Sequence, residues 1–505
     1  MPIKAPWMNE VLFLRRSQGA TNCVAIGAFD GETAAELRSH RDILWLNAHD
    51  GELCAPRLTS PRPDPLPHDI ASAVRQFIRR DARRLPSLAV SQRVLQRDAD
   101  CYADLIGLVH QILDQHHRAR QTREKDGFRW QQHLLANTGA YVARRMPEAW
   151  RNALGGQPAF ICGAGPSLDV SIEHVATHAG RAVVFAADSA LRALAARGVE
   201  ADFAVSIDAA KVPEKCLPAT HSPARVILSA VSPPNWTEAV PSHATFFLSS
   251  NQITLDWLAK HDVARTALPA AENCGSTALD LARFLGCAPI YLFGLDLALD
   301  AANPAIRHHD TVEASLYRES GFAAAQAHPT IPGNYAERVP TFAPTDWRAL
   351  DERLAGWPAG LVINVNDRGA RFRNTTLVHP RDFAWSTTPA TAASKVASLA
   401  QLVDVAPASL SASASSAASR LNAIGRQALS EAPSLRASLA SQGPDGAVLR
   451  LRRFFGSPDV AQIFGAFSLK LMPHLLPPVE GDTATWSQRI DEFAQLAQLA
   501  ASCRF

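Results

Sequence analysis

Between residues 159 and 383 short apolar runs alternate with helix-length segments, and this alternation constrains the fold more than any other feature of the chain. AFIC, AVVFAA, FAVSI, RVILSA, TFFLSS and IYLFG recur in order, separated by segments such as SALRALAARG and TALDLARFLG with apolar positions at helical spacing. Alternating β and α units of this kind imply a mostly parallel sheet covered by helices on both faces. The expected fold class is α/β, with a Rossmann-like, doubly wound sheet at its centre.

The rest of the 505 residues exceeds what one hydrophobic core accommodates, so further units are expected. CVAIGAF and ILWLNA flank the helix-like GETAAELRSH and read as a β-α-β unit. Proline recurs over 56–67 and favours an irregular crossing there, because it donates no amide. The periodicity of YADLIGLVHQILDQHHRARQ is helical. SLSASASSAAS suits either a flexible linker or an alanine-rich helix, and the spacing of WSQRIDEFAQLAQLAA is helical. Four segments result: an N-terminal α/β unit (1–68), a helical connection (69–153), the Rossmann-like domain (154–383) and a small helical C-terminal domain (384–505).

Composition excludes several classes. Hydrophobic residues form 47% and charged residues 19% of the chain, which suits packed cores and not disorder. Fifty basic and 48 acidic residues leave a formal net charge of +2, without the electrostatic footprint of a nucleic-acid binder. The eight cysteines are scattered with no CxxC pair and read as reduced thiols. No apolar run approaches the roughly 20 residues of a membrane span, and the N-terminus lacks a secretory apolar stretch, so a cytoplasmic protein is expected.

The first chemical signal is FICGAGPSLDVSIEHV, a strand running into Gly163, Gly165, Pro166 and Ser167 before a helix. Glycines let the backbone turn tightly and approach a ligand, and free amides at a helix N-terminus attract phosphate. Leu168 replaces the third glycine of a dinucleotide fingerprint, and no GK[ST] follows, so neither standard phosphate loop is present. A tight β-to-α turn without a ligand remains the alternative. Gly275, Ser276 and Thr277 open a second helix in the same manner, with ordinary capping as the alternative.

Asp188 with Ser189, Asp208 and Asp296 each lie just beyond the carboxyl end of an expected strand, the edge where open α/β sheets bind ligands. Such carboxylates suit a hydrated magnesium ion, ribose hydroxyls or a catalytic base, and each equally suits a helix cap. No dedicated metal motif is present, so the metal is left open. His308 and His309 follow in a polar segment and offer a general base near neutral pH, against a surface pair of no function. Arg368, Arg371 and Arg373 suit a phosphate or acidic sugar, with a solvated basic loop as the simpler reading.

Taken in order, GAGPSLD, FAADSALRALAARGVEADFAVSIDA, ENCGSTALDLARFLGCAPIYLFGLDLAL and the histidine pair resemble the bacterial motility accessory factors, part of a larger family that includes archaeal 6-hydroxymethylpterin diphosphokinases. The resemblance covers 159–383, and NVNDRGARFRNTTLVHP resembles a later block of the same proteins. More distantly the chain is similar to bacterial sialyltransferases, whose GNGPSL turn and TSG segment hold cytidine monophosphate; Ala164 stands here at the asparagine position. The resemblance implies a GT-A or sialyltransferase-like domain and transfer of a sugar, such as a nonulosonic acid carried by cytidine monophosphate, to serine or threonine of a protein such as flagellin. It also implies that Gly163 to Ser167 and Gly275 to Thr277 hold the nucleotide phosphate, and that His308 or His309, with Asp208 and Asp296, serves the chemistry. The alternatives are ATP-dependent pyrophosphoryl transfer to a hydroxymethylpterin and a nucleotide-binding assembly protein without turnover.

Overall fold

A computed structural model describes residues 11–15, 20–27, 29, 37, 39–49, 52–53, 55–61, 65–81, 83–91, 94, 99–219, 222–299, 328–385, 392–402 and 412–505. The chain divides into two compact units, one of residues 1–127 with 468–480 and one of residues 128–467 with 481–505.

The first unit is built on a five-stranded sheet. The two apolar runs of the expected β-α-β unit, Asn22–Ile26 and Asp42–Leu46, are neighbouring parallel strands. The other three strands of this sheet, Val11–Arg15, Arg57–Thr59 and Ser87–Ser91, arise where none was expected. Arg57–Thr59, inside the proline-bearing stretch, adds an antiparallel edge beside Asp42–Leu46, where a strand needs partners on one side only. Ser87–Ser91, inside the segment expected to be helical, is wholly buried and pairs with both Val11–Arg15 and Asn22–Ile26. Its five residues are too few to show a period, so its neighbours settle its state. Helix Ile70–Ile78 lays Val74, Phe77 and Ile78 into the core beside Val24, Leu44 and Leu88.

The second unit carries an eight-stranded sheet in which every neighbouring pair is parallel. Its elements are β1 (Ala159–Cys162), α1 (Leu168–His178), β2 (Val183–Ala187), β3 (Phe203–Ser206), β4 (Arg225–Ser229), β5 (Thr245–Leu248), α2 (Cys274–Phe284), β6 (Ile290–Phe293), β7 (Val362–Val365) and β8 (Thr375–Val378). The order across the sheet is β5-β4-β3-β2-β1-β6-β7-β8. The six apolar runs supply β1 to β6, and their residues are almost all buried, because helices cover both faces of a parallel sheet and leave no wet side to alternate toward. On one face α2 packs Leu279, Ala282 and Phe284 with Ile161, Phe185 and Leu292. On the other, Phe160 and Phe293 pack edge to face at 5.0 Å, and Phe383 closes on Phe293 at 5.7 Å. The fold is the expected doubly wound, mostly parallel α/β sheet.

The C-terminal region is helical. The serine- and alanine-rich stretch, left open in sequence, is helix from Ala412, in a run to Phe455 that is broken at Gly443 (φ 67°) ahead of Pro444. Gly425 lets the backbone of Thr483–Ser502 approach at Ala500 and Ala501, and Phe455 meets Phe493 at 5.9 Å. Among the described residues no helix is long and apolar enough to cross a membrane.

Candidate functional site

The strand order reverses between β1 and β6. From β1 the chain proceeds through β2 to β5 on one side, while β6 is followed by β7 and β8 on the other. At such a switch point the loops leaving neighbouring strands diverge and open a crevice at the carboxyl edge. Both loops here turn on glycine. The Gly163 amide donates to the Phe293 carbonyl at 2.8 Å, and the Gly165 amide to the Gly294 carbonyl at 2.7 Å. Gly294 lies at φ +65°, and a Cβ there would meet the Gly163 carbonyl oxygen at 2.6 Å. A Cβ on Gly165 would stand 2.5 Å from Asp296 Oδ2. These glycines let two segments of the protein touch each other.

What they bring together is Ser167 and Asp296. The Ser167 amide donates to Asp296 Oδ2 at 2.8 Å, its hydroxyl to Oδ1 at 2.5 Å, and Asn366 Nδ2 to Oδ1 at 2.7 Å. Asp296 is buried, and burial pushes its carboxyl above the usual aspartate range while the donors from Ser167 and Asn366 pull it back. It thereby caps α1 from the loop that follows β6, the strand beside β1. The anion position that the sequence offers at this helix N-terminus is held by a carboxylate of the chain itself. Pro166 and Leu168 are buried beside it.

The end of β2 forms another part of the wall. Asp188 is buried; its Oδ1 accepts from the Ser189 amide at 2.7 Å and the Ser189 hydroxyl at 3.0 Å, and its Oδ2 from the Ser206 hydroxyl at 2.8 Å. Burial raises its pKa, and the nearby Lys211 ammonium opposes that. Lys211 Nζ donates to the Ser189 hydroxyl at 3.1 Å. Beyond β3 the exposed Asp208 accepts from the Ala210 amide at 2.8 Å, and the Lys211 amide donates to the Asp208 carbonyl at 3.2 Å. Asp208 thus shapes the turn that carries Lys211, and Trp236 Nε1 fixes that turn by donating to the Lys211 carbonyl at 2.7 Å. Sequence reasoning passed over Lys211. Its signal was the DAAK spacing, a turn-forming aspartate three residues before a lysine.

At α2 the cap is Asn273, which was also missed. Its side chain accepts from the Ser276 amide at 2.9 Å, and its Nδ2 donates to Asp346 at 3.2 Å. Thr277 is turned inward: its hydroxyl donates to the Asn273 carbonyl at 2.9 Å and accepts from the Ala271 amide at 3.0 Å. Ser276 Oγ is buried without a hydrogen-bond partner among the described residues. Gly275 allows the Leu295 side chain to lie against the helix start. The Cys274 thiol donates to Asp188 Oδ2 at 3.4 Å, and burial, then the Asp188 charge, raises it well above the usual thiol range.

These walls enclose one cleft of about 530 Å³, within the range of small-ligand sites. Gly163, Gly165, Asp188, Ser189, Asp208, Gly275 and Asp296 all border it, so seven of the residues singled out in sequence meet at one cleft. Lys211 is the single lysine or arginine among the described residues that line it, and Leu297, at φ 44°, stands at its rim. Ser250 also lines it, with a buried hydroxyl that has no partner among the described residues. His308 and His309 lie outside the described residues. The three arginines of the later block do not line the cleft; Arg373 pairs with Asp351 and Arg368 with Asp367, each at 2.7 Å. Among the described residues no three acidic, histidine or cysteine side chains are grouped to hold a metal, and Asp188 and Asp296 give both oxygens to protein donors.

Residues 132–301 match the family model described as "6-hydroxymethylpterin diphosphokinase MptE-like"; this segment holds the first three blocks of the family resemblance, and the histidine pair and the later block lie beyond it. No curated protein sequence matches the chain. Among solved structures similar to it is that of the MAf glycosyltransferase from Magnetospirillum magneticum AMB-1, at 19% identity and a TM-score of 0.46, over 78% of this chain and 63% of the other. The present chain therefore spans less than two-thirds of that protein's length.

Proposed function

We propose that the cleft binds the phosphate end of a nucleotide-linked substrate and that the protein is a transferase, with glycosyl transfer to a serine or threonine hydroxyl of a protein such as flagellin as its reaction. The observation that carries the proposal is the convergence of Lys211, Ser189 and the start of α2 on one cleft at the switch point of the sheet. Since Asp296 occupies the N-terminus of α1, the phosphate is assigned to Lys211 and the Cys274 and Gly275 amides at the start of α2. Asp296 and Asp208 act as positioning residues, the first for the glycine turn and the second for Lys211.

In this reaction the acceptor hydroxyl attacks the anomeric carbon, the bond from that carbon to the phosphate oxygen breaks, and the nucleotide leaves as a phosphate. Lys211 offsets the charge gathering on the leaving oxygen. His308 or His309 takes the acceptor proton, a role suited to imidazole near neutral pH. A nonulosonic acid carried by cytidine monophosphate is the proposed donor, as the resemblance to the sialyltransferases implies. The described carboxylates do not assemble a metal set, so no step is routed through magnesium.

Pyrophosphoryl transfer from ATP to a hydroxymethylpterin is the second reading, favoured by the description of the family that residues 132–301 match. Mass spectrometry after incubation with each donor separates the two: a sugar mass gained by the acceptor protein supports the first, and a diphosphate gained by the pterin reverses the order. Under either reading Lys211→Met weakens nucleotide binding about tenfold in calorimetry, the loss of one charge-assisted contact, while the melting temperature stays unchanged. Unaltered affinity removes Lys211 from the site.

A further inference from the structure

The first unit contains a second cavity of about 540 Å³, and its wall is basic. Arg15, Arg83, Arg84 and Arg120 face it, with His117 and, as the single carboxylate among the described residues that line it, Glu124. Much of this charge is already matched. Arg15 donates to Asp114 at 2.8 Å, Arg84 reaches Glu480 at 3.4 Å, and His474 lies 3.1 Å from Glu124.

Two guanidinium groups are left with donors to spare. Arg83, its side chain only 11% exposed, donates from Nε to the Pro473 carbonyl at 2.7 Å and holds Nη1 3.6 Å from Glu480, yet its buried Nη2 has no hydrogen-bond partner among the described residues. Arg120 projects from helix Ala99–Ala143 into the same cavity and is about half buried, and burial is the chief influence lowering its pKa, with Asp81, Glu124 and Glu480 opposing it. An arginine on a wet helix face needs no ligand. A buried N–H without an acceptor is different, because it has lost its water and stays destabilising until an acceptor arrives.

We propose that this cavity is an oxyanion site for the phosphate group of a small molecule, held between Arg83 Nη2 and the Arg120 guanidinium. Planar guanidinium forks match phosphate oxygens, and two of them converging on one cavity offer more donors than the two oxygens of a carboxylate require. Leu85, buried beside Arg83, and Pro473 provide an apolar wall for an organic part. The proposal is independent of the central cleft and of the reaction assigned to it.

The test is arginine footprinting of the full chain with phenylglyoxal and peptide mapping, with inorganic phosphate and glycerol 3-phosphate as separate probes. Either probe is expected to protect Arg120, and the one that protects at the lower concentration tells free phosphate from an organic phosphate. Because the readout is residue by residue, phosphate bound in the central cleft does not confuse it. Arg120→Gln is expected to weaken binding of the better probe about tenfold, measured in a Lys211→Met background that weakens the cleft's own phosphate binding by a similar factor. It should melt at the wild-type temperature, since the guanidinium makes no hydrogen bond to a described residue. Unprotected Arg120 at about 10 mM of both probes, where even weak sites fill, overturns the proposal. So does a marked loss of stability in Arg120→Gln, which would make the arginine a structural element.

Discussion

The N-termini of α1 and α2 carry the same signature in sequence, a glycine beside small hydroxyl residues, and the molecule uses them differently. At α1 the Ser167 amide and hydroxyl are both taken by Asp296, a residue on the other side of the switch point, and the glycines before it serve that closure. At α2 the cap is local: Asn273 accepts from the Ser276 amide, and the helix start borders the cleft. A helix N-terminus is an anion site only until something fills it. A carboxylate from the neighbouring strand fills the first; the second has a neutral cap and keeps its dipole for a ligand.

Three substitutions test that contrast. Gly165→Val should have the largest effect, because its Cβ would lie 2.5 Å from Asp296 Oδ2, which Ser167 holds in place, and 2.7 Å from the Gly294 carbonyl oxygen of the backbone. Overpacking there should cost about 3 kcal/mol, read as a fall in thermal or urea stability. A variant of wild-type stability would mean that the turn is open to ligand and not closed on Asp296.

Asp296→Asn should come next, at about 1–3 kcal/mol, since either orientation of the new amide sets an N–H against the Ser167 amide or Asn366 Nδ2. Nucleotide affinity should stay within about twofold, as for a site that does not touch the ligand. A large loss of affinity in a stable variant would return Asp296 to the ligand. Asn273→Ala should be mildest for stability, at about 1 kcal/mol for a lost cap. It should nevertheless weaken nucleotide binding more than Asp296→Asn does. Calorimetric titration of the two variants side by side decides this, and the reverse order would exchange the roles given to the two helix ends.

Much of the fold was legible because the central strands are buried on both faces and so appear as unbroken apolar runs. Ser87–Ser91 was not, since SLAVS between helical segments acquires its strand state from partners at Val11–Arg15 and Asn22–Ile26. The loop-borne site residues were legible as positions beyond strand ends, which the alternation itself locates. Lys211 was overlooked because a lone lysine in a loop has no periodic signature, and what aims it is a turn held by Asp208 and by Trp236.

The sequence alone therefore determined the class of fold, the edge of the sheet on which chemistry is sought and the residue types found there, because burial period and strand-end position are properties of local order along the chain. Only the tertiary structure decided which of those residues are already engaged by the protein's own groups. That depends on pairs far apart in sequence, Ser167 with Asp296 and Ser189 with Lys211, whose hydrogen bonds exist once β1 and β6 lie side by side and β2 stands next to β3. A carboxylate that has already found its donors inside the protein is no longer available to a substrate, and no local pattern of residues records which donors it finds.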